Sequence, residues 1–217
     1  MNLEGVVNKT GILLLLCIGA AALSWTQHAL QGPFLILGLI GGLVSCLVGT
    51  FKPTTTPFTA PVYAICEGLA LGAISEMLNF RYPGIMANAM MLTIAVLGMM
   101  LMLYVTRIVR VTEGFARAVF AATAAVALVY VVDLLLRMFG VHVPYIHESG
   151  AIGIGISLVV VGIASANLMM DFAVIESNIR QGAPKYMEWY SSMALLVTLV
   201  WLYMELLRLL AKMRSDR

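Results

Sequence analysis

Long apolar runs, broken by short polar stretches rich in proline and glycine, set the pattern of this chain. A helix needs roughly 20 mainly apolar residues to cross about 30 Å of hydrocarbon. On that measure the pattern predicts seven spans, at about 10–31, 33–52, 59–80, 84–107, 115–139, 151–174 and 188–210. The breaks carry their own signals: "QGPF" after the first span, "FKPTTTPFTAP" after the second and "RYPG" after the third. Pro61, just behind Thr59, is expected in the first turn of the third helix, where its missing N–H is no loss. The other connections are short, so the expected fold is all-α: one polytopic transmembrane domain over 1–217, a seven-helix bundle. Gly38, Gly41 and Gly42 in span two, and Gly155, Ser157, Gly162 and Ala166 in span six, predict close backbone approach, with span six central and crowded.

Composition makes lipid the solvent. Of 217 residues, 61% are hydrophobic and 11% charged, with a mean hydropathy of +0.96. A soluble core of this size cannot hide so much apolar sequence. The net charge of +2 gives no argument for a nucleic-acid partner. Cys17, Cys46 and Cys66 lie in apolar runs without metal-type spacing and read as packing residues. His28, His142 and His147 form no cluster, and the 15 methionines are scattered among leucine and alanine. No nucleotide loop, nucleophile elbow or HExxH metal motif occurs, so neither an enzyme nor a resident cofactor is expected.

The stretch "NKTGILLLLCIGAAALS" has the outline of a signal peptide. Its basic region is thin, however: Lys9 is the one positive residue and Glu4 opposes it, so a retained first helix is expected. Basic residues in the short loops set the orientation. Lys9, Lys52, Arg107, Arg110, Arg117, Arg180 and Lys185 lie on the N-terminal side, against Arg81 and Arg137 opposite, which predicts a cytoplasmic N-terminus. With seven spans, the basic tail of Lys212, Arg214 and Arg217, with Arg208 before it, then falls outside, against the rule: either the tail is the exception or one hydrophobic segment does not fully cross. "IRQGAPKYMEWY", with Tyr186, Trp189 and Tyr190, reads as an aromatic anchor in the membrane interface.

Four acids fall inside predicted spans: Glu67, Asp133, Asp171 and Glu205. A charge at the middle of a membrane helix costs about 2.5–3.5 kcal/mol on insertion scales, so such residues mark polar paths or pairs. Asp133 with Arg137 (i, i+4) and Glu205 with Arg208 (i, i+3) can each meet on one helix face, which suits structural ion pairs in the outer half. Glu67 and Asp171 share the cytoplasmic half and have no basic residue within a helical turn; Lys52 is the nearest counter-ion by depth. Two uncompensated carboxylates at one depth point to a site that answers to protons or cations.

Three blocks are similar to the Bax-inhibitor/YccA family, in particular its bacterial branch: "GVVNKTGILLLL" at 5–16, "YAICEGLALGAISEMLNFRYPGI" at 63–85, and "DFAVIESNIRQGAPKYMEWYSSMALLVTLVWLYMELLRLL" at 171–210. The resemblance implies a seven-helix inner-membrane protein with a central, rather hydrophilic last helix. It also implies a pH-sensitive calcium leak. In such relatives two aspartates, on helices six and seven near the cytoplasmic side, interact with an arginine to close the pore, and protonation changes their state. Asp171 matches the helix-six aspartate; the helix-seven position falls on Glu205 or on Thr198, depending on how "WLYMELLRLL" is matched, and no arginine stands in span two. A hairpin with the predicted limits puts Asp171 level with about Ser191, and Thr198 lies nearer that level than Glu205. The expected gate is therefore Asp171, with Glu67 as its partner and Glu205 as a second acidic station. The competing expectation is a non-conducting regulator that binds another membrane protein, such as a quality-control protease, through its N-terminus or the 176–190 connection.

Overall fold

A computed structural model of the chain describes residues 1–139 and 150–215, apart from the side chains of His28, Arg137 and Met138. Among these residues it is all-α, with seven long helices and no strand: α1 (Leu3–Thr26), α2 (Gln31–Phe51), α3 (Thr56–Arg81), α4 (Ile85–Val105), α5 (Glu113–Met138), α6 (Ala151–Arg180) and α7 (Tyr186–Ser215). All seven contain a stretch long and apolar enough to cross a membrane, which makes this a multi-pass membrane protein. The last helix is the most buried, with 61% of its most apolar window inside the protein. His142 and His147 lie outside the described residues.

Helix limits and apolar limits differ, and the difference matters at the site. Hydropathy finds the lipid-facing stretch, whereas a helix ends where its hydrogen bonds and caps end. α1 starts well before its apolar run because the Asn2 side chain accepts from the Gly5 N–H at 2.7 Å, an N-cap. α3 starts at Thr56, so the first-turn proline is Pro57, and Pro61 sits inside the helix rather than in its first turn. A proline inside a membrane helix is tolerated where neighbouring groups take up the freed carbonyl. α6 runs past its apolar segment to Arg180, where Gly182 in the left-handed region (φ +67) turns the chain and Pro184 forbids continuation.

The chain divides into two compact units, residues 1–86 with 171–200, and residues 87–170 with 201–217. In the first, α3 packs against both α1 and α2. Its core gathers Leu13 and Cys17 from α1, Ala60, Tyr63 and Ala64 from α3, and Met193, Leu196 and Val200 from α7. A Cβ added at Gly38 would lie 2.6 Å from the Cys66 carbonyl, so α2 and α3 touch through backbone there, as its small residues predicted. In span six the expectation divides: Ser157 is buried and accepts from Lys212 of α7 at 2.9 Å, whereas Cβ atoms at Gly155 and Gly162 would meet nothing within 4 Å among the described residues. Those two glycines face open space rather than a crowded neighbour. In the second unit the buried side chains include Ala89 on α4, Val119 on α5 and Ala164 and Leu168 on α6.

Candidate functional site

In the first unit, the N-terminus of α1 is tied to the start of α7. Lys9 forms an ion pair with Glu188, whose Oε1 also accepts from the Asn2 N–H at 3.0 Å. The Lys9 ammonium lies 5.5 Å from the centroid of the Trp189 ring, and the Ser192 hydroxyl donates to the Val6 carbonyl at 3.1 Å. Glu188 stands in the first turn of α7, where the helix dipole favours an anion. Sequence reading missed it, because it treated 176–190 as an interfacial connection. The available signal was the acid three residues into a helix whose start was set two residues late.

Asp171 stands nine residues before the end of α6, not near it. That lengthening changes the register of the α6–α7 hairpin. The Thr198 hydroxyl on α7 is the hydrogen-bonding neighbour of the Asp171 carboxylate, in place of Ser191. Thr198 also reaches the Ala194 carbonyl at 3.3 Å. The second carboxylate oxygen, Oδ2, is buried with no hydrogen-bond partner among the described residues.

Glu67 occupies a separate niche in the same unit. Its carboxylate packs against α2 where Gly42 leaves room: a Cβ there would lie 2.7 Å from Oε2. The Cys17, Cys46 and Cys66 thiols and the Tyr63 hydroxyl lie within its electrostatic reach. All three cysteines are free. Neither Glu67 nor Asp171 interacts with the other, and neither has a basic partner among the described residues. Lys52, the expected counter-ion, is exposed at the end of α2 and its carbonyl caps the following turn. Glu67 and Asp171 are therefore not gathered into one calcium site, and among the described residues no group of three or more His, Cys, Asp or Glu is placed to hold a metal.

The second unit carries a polar ladder on one face of α7. Residues 201, 205, 208 and 212 recur at helical spacing. Glu205, with its side chain 2% exposed, accepts from Arg208 at 3.1 Å, from the Tyr130 hydroxyl of α5 at 2.8 Å and from the Trp201 indole at 3.3 Å. The Arg208 guanidinium also donates to the Tyr130 hydroxyl and sits 4.9 Å over its ring. Buried Lys212 donates to the Gly153 carbonyl at 3.0 Å and the Ser157 hydroxyl at 2.9 Å, both at the start of α6. The i, i+3 spacing identified the Glu205–Arg208 pair; Tyr130 and Lys212 were missed, the latter because it was counted as a tail charge. Asp133 is buried in α5, and the Arg137 side chain that would pair with it lies outside the described residues.

No curated protein and no solved structure matched the chain. A family model described as Bax inhibitor 1 like matches residues 1–215, nearly the whole chain. Together with seven membrane-length helices and a buried, partly polar last helix, this match settles the membership: the chain belongs to the Bax inhibitor 1 like family of membrane proteins.

Proposed function

We propose that this protein is a pH-sensitive cation leak, with calcium as the permeant ion, in a bacterial inner membrane, its N-terminus on the cytoplasmic side. The observation that carries the reading is Asp171: a carboxylate within a membrane helix, set against a threonine hydroxyl rather than a cation, with one oxygen left without a partner among the described residues. A carboxylate so placed changes its charge by taking up a proton or a hard cation. Either event alters the balance between alternative helix packings, which is how a local charge change becomes a gate. The distribution of basic residues in the loops supports the orientation.

Thr198, rather than Glu205, takes the helix-seven role in this reading, because it is the residue that faces Asp171. Glu67 is assigned a separate station in the same unit. Glu205 is read as structural, since an arginine, a tyrosine and a tryptophan already occupy its carboxylate. The test is calcium entry into liposomes holding the purified protein, followed with an enclosed calcium indicator across a range of pH. Wild type is expected to pass calcium at a rate that varies with pH, and Glu67→Gln to lower that rate. No entry at any pH overturns the leak and turns attention to a regulator that acts by binding another membrane protein. Entry unaffected by Glu67→Gln leaves that residue a packing carboxylate.

A further inference from the structure

The α6–α7 hairpin carries three buried polar atoms without hydrogen-bond partners among the described residues: Asp171 Oδ2, Asn178 Nδ2 and Ser191 Oγ. The Asp171 carboxylate keeps the Thr198 hydroxyl as its one neighbour, and the Asn178 amide nitrogen and the Ser191 hydroxyl have no hydrogen-bond partner among the described residues. Leaving one such group unpaired costs about 1–3 kcal/mol, and buried polar atoms in stable proteins are met by protein or by ordered water. Their positions follow a rule. Asp171, Ile175 and Asn178 are spaced i, i+4, i+7 and share one face of α6; Ser191, Leu195 and Thr198 share one face of α7 in the same way. The register that sets Asp171 against Thr198 sets position 178 level with 191, and 175 level with about 195.

The unpartnered atoms therefore fall at two levels about 10 Å apart along the hairpin, by the helical rise of about 1.5 Å per residue. One level is Asn178 with Ser191, toward the turn at Gly182; the other is Asp171 with Thr198. Between them lie only apolar side chains on these faces, Ile175 (7% exposed) and Leu195 (8% exposed). Hydrophobic constrictions of this kind gate membrane pathways by excluding water.

We infer that the α6–α7 interface holds a hydrated chamber at Asn178 and Ser191, and that the Ile175–Leu195 layer is a dry barrier controlling how water and hydrated cations reach Asp171. The consequence for flux rests on the reading of Asp171 as the gate; the hydration itself does not. The chamber supplies the missing hydrogen bonds of Asn178 and Ser191, and the barrier explains why polar residues at the two levels are not continuous.

Thiol accessibility tests this without requiring conduction. Asn178→Cys, Ser191→Cys, Thr198→Cys and Leu196→Cys are each made with Cys17, Cys46 and Cys66 left in place. The reconstituted proteins are treated with a small, positively charged methanethiosulfonate reagent, and each cysteine is read by peptide mass spectrometry. Positions 178 and 191 are expected to react at least about ten-fold faster than core position 196, the scale set by hydrating one buried polar group. Position 198 should react slowly until Leu195→Ser, or Ile175→Ser if the first fails to fold, opens the layer. Reactivity at 178 and 191 no greater than at 196 overturns the chamber. A position 198 that reacts as fast as 191, or that neither serine variant accelerates, overturns the barrier. In the flux assay Leu195→Ser should raise calcium entry severalfold; open labelling with unchanged flux would instead count against Asp171 as the gate.

Discussion

Gly68→Leu is expected to prevent this protein from reaching its native state, or to leave it markedly less stable. A Cβ at position 68 on α3 would overlap the Cys17 carbonyl on α1 and come within 2.8 Å of the Ala20 Cβ. The obstacle is backbone, so no rotamer change relieves it, and the two helices must separate. Overpacking typically costs about 1–3 kcal/mol, and a backbone clash lies at or above the upper end. The loss is amplified because α1 and α3 together provide Leu13, Cys17, Ala60, Tyr63 and Ala64 to the core that α7 completes. In a bilayer, association of helices depends on such close packing rather than on a hydrophobic drive. Gly162→Leu on α6 serves as the comparison, since a Cβ there meets nothing within 4 Å. Thermal unfolding in detergent should show a large drop for the first variant and little change for the second. Equal stability of the two would contradict the packing described for α1 and α3.

Arg208→Met should be the next most damaging change. It removes the cation from a carboxylate whose side chain is 2% exposed, leaving Glu205 with the Tyr130 hydroxyl and the Trp201 indole as donors. Breaking a buried ion pair by deleting one partner costs about 3–5 kcal/mol where the remaining charge is uncompensated, and here Lys212 is the cation left within electrostatic reach of Glu205. Arg208 is itself about one-third exposed, so the lower end of that range is expected here. Replacing both members, Glu205→Leu with Arg208→Met, should restore most of the stability, because a well-packed apolar pair commonly substitutes for a buried ion pair. Unfolding midpoints of the single and double variants decide the matter. A double variant as unstable as the single one would mean that Glu205 does more than balance Arg208.

The seven spans were legible because lipid imposes one length on every apolar helix. The close approach of α2 to α3 was legible from Gly38, Gly41 and Gly42, since small residues leave few other reasons to gather. In α6 the same pattern held at Ser157, which is buried against Lys212, but not at Gly155 and Gly162, which face open space; spacing says that a neighbour can come near, not that one does. Helix ends were the least legible feature, and they governed the site. Ending span six at 174 put Asp171 level with Ser191, whereas the helix continues to Arg180 and puts it against Thr198. Polar residues between 175 and 180 hid that continuation from hydropathy. Individual acids were found by their rarity in apolar sequence, but their partners were not. Tyr130, Lys212 and the Lys9–Glu188 pair join residues far apart in the chain, and only the packing of the helices brings them together.

The most direct test of the gate is the pH profile of calcium entry into liposomes for Asp171→Asn beside wild type. Asparagine keeps the shape of the side chain and removes its ability to change charge. If Asp171 is the pH-responsive element, the variant's rate becomes nearly independent of pH while wild type still varies. A variant that retains the wild-type profile would place the pH response elsewhere and contradict the account.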